Sequence, residues 1–321
     1  MKTWQLRQRQ SLPLDAKLVH AEQVIRKWYE YWDGDVCVSF SGGKDSTVLL
    51  DIVRSVYPDT PAVFVNTGLE YPEIVKFVKT IEQVDIIRPK MNFRNVLKNY
   101  GYPVVSKIVA HQINTLQNPT PKNTVTRRLR LEGIKKDGTK ANPNSVLSQK
   151  WRFLIDAPFK ISPRCCDVMK KEPLNRYVRE TGRQPYIGVM ASESAQRERT
   201  YLRGGCNSFS SRNPSSSPLS IWTEQDILEY IVTRDLPYAE CYGEIIKNSD
   251  AQRTTTGEKR TGCMFCMFGL HLEPRPNRFE RMRRDKPKLW NYCINSLGLG
   301  EVLDYVGIPY GKELQMSFDW E

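Results

Sequence analysis

Residues 14–32, LDAKLVHAEQVIRKWYEYW, return an apolar side chain every three to four positions, the period of one helix face, and Gly34 ends the pattern. Residues 36–40, VCVSF, follow as an apolar run of strand length that breaks at Gly42-Gly43. The helical period resumes over 45–54. AVFV at 62–65 predicts a second short strand ending at Asn66-Thr67-Gly68, residues 73–83 predict a helix, and VDII at 84–87 predicts a third strand. Strands that alternate with helices are joined by right-handed crossovers, so the expected fold class is α/β, a parallel twisted sheet with helices on both faces.

From 114 to 149 the pattern dissolves into polar and basic sequence that includes Arg127, Arg128, Arg130, Lys135, Lys136 and Lys140, which reads as an excursion from the core, a helical pair or a loop. PYIGVM at 185–190 resumes as a strand and runs into Ala191-Ser-Glu-Ser-Ala-Gln-Arg197. A serine-rich connector at 206–220 precedes WTEQDILEYI at 222–231, a predicted helix that Thr223 caps with Asp226 reaching back. The tail from Arg275 onward reads as helical and basic. The expected organisation is therefore an N-terminal helical segment (1–34), a nucleotide-binding α/β domain (35–204, with 114–149 as a basic insertion) and a mostly helical C-terminal region (205–321).

At 321 residues and 40% hydrophobic, the chain can bury a full core in one large domain or two lobes. Its net charge of +12 favours polyanions such as nucleic acid or nucleotides as partners, and is equally compatible with an ordinary basic soluble enzyme. No window approaches the ~18 apolar residues of a membrane span, and the first ten residues lack an apolar signal region, so no membrane partner and a cytoplasmic location are expected. The eight cysteines (37, 165, 166, 206, 241, 263, 266 and 293) then read as buried thiols, metal ligands or catalytic groups rather than disulfides.

The glycine pair lets backbone N–H groups approach an anion, and the helix that follows points its positive end at the same place. Ser41, Ser46 and Thr47 add hydroxyls and Lys44 a charge, which makes a phosphate cradle. A Walker A loop would need a glycine where Val38 stands and a Ser or Thr where Asp45 follows the lysine, so that motif is excluded at both ends. Ser41-Gly-Gly-Lys-Asp-Ser46 instead resembles the Ser-Gly-Gly-x-Asp-Ser loop of the ATP pyrophosphatases. The resemblance implies that the loop clamps the pyrophosphate leaving group while a nucleophile attacks the α-phosphorus. It implies catalytic roles for Lys44, Asp45 and Ser46, with Asp45 helping to hold Mg2+, and nucleotide contacts from Ser39, Ser41, Gly42, Gly43 and Thr47.

Two cysteine pairs stand further on, Cys165-Cys166 and the turn Cys263-Met-Phe-Cys266. Four thiolates suit zinc or an iron–sulfur cluster, and adjacent cysteines suit the separate iron corners of a cluster better than one small ion. "CCDVMKKEPLNRY", "GVMASESAQR", "WTEQDILEYI", "LPY" and "TGCMFC" are similar in order and spacing to the phosphoadenosine phosphosulfate reductase superfamily, over roughly 35–270. That resemblance implies an adenine nucleotide alpha hydrolase-like fold and a 4Fe-4S cluster on Cys165, Cys166, Cys263 and Cys266, with zinc as the alternative. It also implies nucleotide contacts from Glu193, Ser194 and Arg197, although Met190 replaces one arginine of that pattern. Asn66, Thr67 and Gly68, at a strand end, are candidate nucleotide contacts too, with asparagine where the superfamily often has aspartate.

The sequence departs from the reductases in two ways. Their C-terminal nucleophilic cysteine has no counterpart in Gln315-Met-Ser-Phe-Asp-Trp-Glu321, and in the stretch before Gly269-Leu-His271 that position holds Phe268. Cys293, in an apolar helical pattern, reads as core, and Cys206, in a polar loop, is the best candidate for an auxiliary thiol. The reductase loop also tends to be degenerate, whereas this loop is intact. The combination resembles enzymes that adenylylate DNA or tRNA and insert sulfur, with a cysteine desulfurase as donor. Two other readings stay open: a sulfonucleotide reductase, and a catalytically silent nucleotide-binding module.

Overall fold

The structure, a computed structural model, describes residues 1–312. The chain forms two compact units, and neither is a single segment. Unit 1 comprises residues 1–90 and 170–262, and unit 2 comprises residues 91–169 and 263 onward. This differs from the consecutive segments expected from composition. The N-terminal helices belong to unit 1, and the basic stretch 114–149 shares unit 2 with the CxxC turn. The chain passes between the units at 90/91, 169/170 and 262/263, which no composition shift marks.

Unit 1 holds helices α1 (Thr3–Gln10), α2 (Leu14–Tyr31), α3 (Lys44–Val56), α4 (Pro72–Val78), α8 (Glu172–Thr181), α9 (Ala195–Gly204) and α10 (Glu224–Arg234). Its strands β1 (Val36–Ser39), β2 (Ala62–Val65), β3 (Val84–Ile87), β5 (Gln184–Ile187), β6 (Asn207–Ser208) and β7 (Ser215–Ser216) make one six-stranded sheet of order β3-β2-β1-β5-β7-β6. All pairs are parallel except β6 with β7. A small antiparallel pair, β8 (Ile245–Lys247) with β9 (Arg253–Thr255), completes the unit. Val36, Cys37 and Val38 are all buried, as a central parallel strand covered on both faces requires. On α2 the buried set Lys17, Ala21, Val24, Ile25 and Trp28 follows the helical period read from the sequence. Thr223 caps α10 and Asp226 accepts from the Thr223 N–H at 2.7 Å, the reciprocal box expected there. The serine-rich connector, expected as loop, supplies β6 and β7. Strands of two residues are too short to show a period of two.

Unit 2 holds β4 (Val104–Val105) paired in parallel with β10 (Met267–Phe268), and helices α5 (Phe93–Tyr100), α6 (Lys107–Gln117), α7 (Thr124–Glu132), α11 (Arg278–Asp285), α12 (Pro287–Asn291) and α13 (Leu299–Val306). The excursion at 114–149 is therefore part helix. The Leu147 N–H bonds the Arg130 carbonyl at 2.8 Å, and the Gln112 amide reaches the Asn144 carbonyl at 3.2 Å, so polar side chains fold it back onto α6 and α7.

Candidate functional site

In an open parallel sheet, ligands bind beyond the carboxyl ends of the strands where the strand order reverses. Here β1 continues to β2 and β3 on one side while β5 and β7 lie on the other, so the reversal falls between β1 and β5. The loop Ser41–Lys44 leaves β1 at that point. Gly42 adopts φ +70, a conformation in which a side chain is strained, and a Cβ there would lie 2.7 Å from a Val78 methyl and 2.8 Å from an Ile74 methyl. From the β5 side, Gly188 packs so closely on the start of α3 that a Cβ would meet the Asp45 carbonyl and the Ser46 backbone at 3.3 Å.

Inside the loop the hydroxyls act as braces. Ser46 Oγ donates to the Gly43 carbonyl (2.9 Å) and accepts from the Ser41 N–H (3.2 Å), and Thr47 Oγ1 donates to the same carbonyl (3.1 Å). Ser41 Oγ accepts from the Gly43 N–H at 3.3 Å. Gly43 is the N-cap of α3 and gives it no side-chain cap, so the first turn offers its N–H groups outward. One of them is engaged: the Lys44 N–H donates to Tyr242 Oη at 3.1 Å, and that hydroxyl shares a 2.7 Å hydrogen bond with Thr261 Oγ1.

Lys44 is 4% exposed, and its ammonium sits 3.4 Å from Asp45, 3.3 Å from Glu224 and 3.2 Å from the Lys259 carbonyl. Burial raises the pKa of the Asp45 carboxyl; Lys44 opposes that shift, and Glu193 and Glu224 add to it. Apart from the Lys44 ion pair, Asp45 Oδ1 has no hydrogen-bond partner. A buried carboxylate oxygen with open coordination, beside a phosphate cradle, fits a hard divalent cation such as Mg2+.

A cavity of about 170 Å3 adjoins the loop. Ser39 and Ser41 line it together with Val63–Val65, Tyr71 and Leu174, a largely apolar wall that suits one part of a nucleotide rather than all of it. Glu70, Lys170, Lys171 and Thr261 also line it, none of them given a site role by the sequence reading. Glu70 organises the turn after β2: it accepts from the Thr67 N–H (2.9 Å), Thr67 Oγ1 (2.7 Å) and the Leu69 N–H (3.3 Å). Gly68 takes φ +76 with its N–H on Asn66 Oδ1 at 3.1 Å. Thr67 is thus committed to the turn, and Asn66 braces it. Arg197 ion-pairs with Glu193, while Ser194 caps α9 by accepting from the Arg197 N–H at 3.3 Å. Tyr242, Thr261 and Glu224 reach the loop only through long-range folding; Thr261 and Glu224 stand in the motifs TGCMFC and WTEQDILEYI, but those motifs carry no sign of their place at the loop.

All four predicted metal-ligating cysteines lie in unit 2, arranged around the short segment 102–105. Ile161, four residues before Cys165, bridges Tyr102, and Met267, next after Cys266, pairs with Val104. The Cys266 N–H bonds the Cys263 carbonyl at 3.1 Å, closing the CxxC turn, and Arg278 Nη1 donates to the Cys266 carbonyl at 3.0 Å. Cys165 is buried, and Cys166 leads into a π-helical turn at Asp167–Lys171, a distortion frequent at functional sites. Val105, β-branched, stands at φ +63, a strained position beside this motif. Among the described residues no three His, Cys, Asp or Glu side chains gather closely enough to hold one metal ion. The chemistry of the donor set, two pairs of thiols in one unit, suits either zinc or an iron–sulfur cluster. His271 packs edge-on against Trp151 with ring centroids 5.3 Å apart, and burial lowers its pKa, which makes it a packing residue.

Three other cysteines have raised thiol pKa values. Burial pushes the Cys37 thiol up to about 12 and that of Cys206 to about 11, and it raises that of Cys293 further. Cys293 is fully buried, as its apolar helical pattern predicts, and Cys206 is half-buried. Phe268 lies in β10, paired with Val105. The C-terminal stretch 315–321, where a reductase nucleophile was sought, lies outside the described residues.

The phosphoadenosine phosphosulfate reductase domain matches residues 35–101 and 122–267, well over half the chain. Two uncharacterised proteins of Methanocaldococcus jannaschii are 24% and 25% identical over 85% of this chain, which spans only 43% and 51% of their lengths. The adenosine 5'-phosphosulfate reductase of Staphylococcus epidermidis is 24% identical over 78% of this chain and 87% of its own. Among solved structures, the phosphoadenylyl-sulfate reductase of Candida auris is similar at a TM-score of 0.40 and 14% identity, covering 75% of this chain and 90% of that one. With its loop at the sheet's reversal point and its domain match across both units, this chain belongs to the phosphoadenosine phosphosulfate reductase domain family.

Proposed function

We infer that the protein is an ATP pyrophosphatase that adenylylates an acceptor, most simply a nucleic acid (DNA or tRNA), in preparation for sulfur transfer. The observation that carries this reading is the intact cradle: Lys44 buried and Asp45 half-buried at the start of α3, with Asp45 Oδ1 engaged by the Lys44 ion pair and by no hydrogen bond among the described residues. An acceptor oxygen attacks the α-phosphorus, the bond to the bridging oxygen breaks, and the pyrophosphate leaves into the loop. Its growing charge meets the N–H groups of the first turn of α3 and the Lys44 ammonium, donors already in place before the reaction. Mg2+ on Asp45 would neutralise the same oxygens. Cys165, Cys166, Cys263 and Cys266 would hold a 4Fe-4S cluster, which when bound holds or delivers sulfur, with a cysteine desulfurase as its source. Glu70, held in place by the Thr67 N–H, lines the cavity that would take the nucleoside.

Pyrophosphate release from ATP with Mg2+, measured on anaerobically purified protein, tests the reading. Lys44→Ala and Asp45→Ala should each lower it about 100-fold or more, the scale of losing one preorganised donor. Release that is undiminished in both variants sinks the assignment. The similarity to adenosine 5'-phosphosulfate reductases favours a second reading, sulfonucleotide reduction. Sulfite formed from adenosine 5'-phosphosulfate and a thiol reductant, without ATP turnover, would establish it instead.

A further inference from the structure

Charge is divided unevenly between the two units. Unit 2 contains 22 Lys and Arg against 12 Asp and Glu, whereas unit 1 contains 26 against 24. Ten of the twelve net positive charges therefore belong to unit 2, while the nucleotide loop sits in a nearly neutral body.

Part of that charge converges on a concavity of about 400 Å3. Arg94, Lys98 and Lys160 line it over a floor of Leu97 and Leu297, Tyr102 and Ser296 contribute hydroxyls, and among the described residues no carboxylate lines its wall. The concavity is built by close backbone approach. Gly101, at φ +101, ends α5, and a Cβ there would lie 2.3 Å from the Lys160 carbonyl, so only glycine brings Lys160 against this helix. The Tyr102 N–H bonds that carbonyl at 2.8 Å, and Tyr102 Oη ties down Leu297 at 3.1 Å. Arg94 and Lys98 stand four residues apart on one helix face, a like-charge spacing that weakens a helix unless an anion joins them. Lys98 also complements the C-terminal end of the α5 dipole, but Arg94, a turn earlier, has no such reason. The Arg94 guanidinium lies 6.0 Å from the Tyr292 ring centroid, which orients it.

We propose that the Arg94–Lys98–Lys160 concavity of unit 2 binds the phosphodiester backbone of a nucleic-acid strand. The inference rests on the proposed function for its choice of polyanion and adds the surface that receives it. The three cations neutralise phosphates, and the shallow apolar floor reads no base, so binding is sequence-tolerant and salt-dependent.

The test is fluorescence anisotropy of a labelled single strand of about 20 nucleotides, as DNA and as RNA, with the full chain over a salt series. Each phosphate contact on a single strand contributes about 0.7 to the slope of log affinity against log salt. The triple variant R94Q/K98Q/K160Q should therefore lose about 2 from the slope and about 100-fold in affinity at 0.1 M salt. The control K27Q/K79Q/R179Q removes three exposed cations of unit 1 and should leave slope and affinity close to wild type. Melting temperatures of both variants check that they are folded. Equal losses in both variants, or no loss in either, overturn this placement while ATP turnover by the wild type leaves the nucleotide reading standing. A wild type that binds inorganic phosphate but no strand overturns it as well, in favour of a small-anion site.

Discussion

Tyr242 engages an N–H of the loop that the proposed function assigns to a phosphate. It is 2% exposed, its hydroxyl accepts the Lys44 N–H at 3.1 Å, and a Cβ on Gly43 would lie 3.1 Å from that hydroxyl. Burial, chiefly, holds its pKa well above the ordinary tyrosine value, so it stays a neutral hydroxyl at every working pH. Tyr242→Phe removes this oxygen and leaves the buried Lys44 N–H without its acceptor, a cost of about 1–3 kcal/mol in the ligand-free protein. A melting temperature about 2–12 °C lower should follow, at roughly 2–4 °C per kcal/mol for a unit of this size. A bound phosphate oxygen restores an acceptor, and a charged one, so the ATP complex loses less than the free protein. The difference appears as tighter binding, about 5-fold to 100-fold across that range. Calorimetric titration with a non-hydrolysable ATP analogue, beside thermal melting, measures both. Weaker nucleotide binding by Tyr242→Phe would refute the reasoning, because the hydroxyl would then be a nucleotide contact rather than its competitor.

Gly42→Ala should destabilise unit 1 by about 2–5 kcal/mol in urea unfolding, from left-handed strain plus the clash with Ile74 and Val78. Lys17→Met should cost about 3 kcal/mol by the same measure, because it breaks a buried 2.6 Å ion pair while Asp226 keeps its two bonds to Thr223. The raised Asp45 pKa sets a pH dependence. Its contribution to stability is full below the ordinary aspartate pKa and is lost as pH rises through the higher folded value. Asp45→Asn should therefore be more stable than wild type at neutral pH, lose that advantage in acid, and fail in Mg2+-dependent pyrophosphate release. Urea midpoints that differ equally at every pH would contradict this.

Local chemistry was readable along the chain. Gly42-Gly43 after an apolar strand, the capping pair Thr223–Asp226 and the period of α2 each follow from forces acting over a few residues, and the structure has them where the sequence put them. The cysteine motifs were equally visible, since a CxxC turn is made by its own backbone. The division into units was not visible, because it depends on which distant segments pair: Val104–Val105 with Met267–Phe268, and Tyr102 with Ile161.

The sequence by itself thus determined the family, the phosphate loop and the stock of thiols, all of which reside in contiguous residues. Only the tertiary structure decided what those residues face. It set Tyr242, Thr261 and Glu224 against the loop, gave Asp45 Oδ1 an ion pair with Lys44, placed Glu70 in the cavity wall, and gathered Arg94, Lys98 and Lys160 behind Gly101. Burial and long-range pairing fix these neighbours, and both are properties of the closed chain rather than of any segment of it.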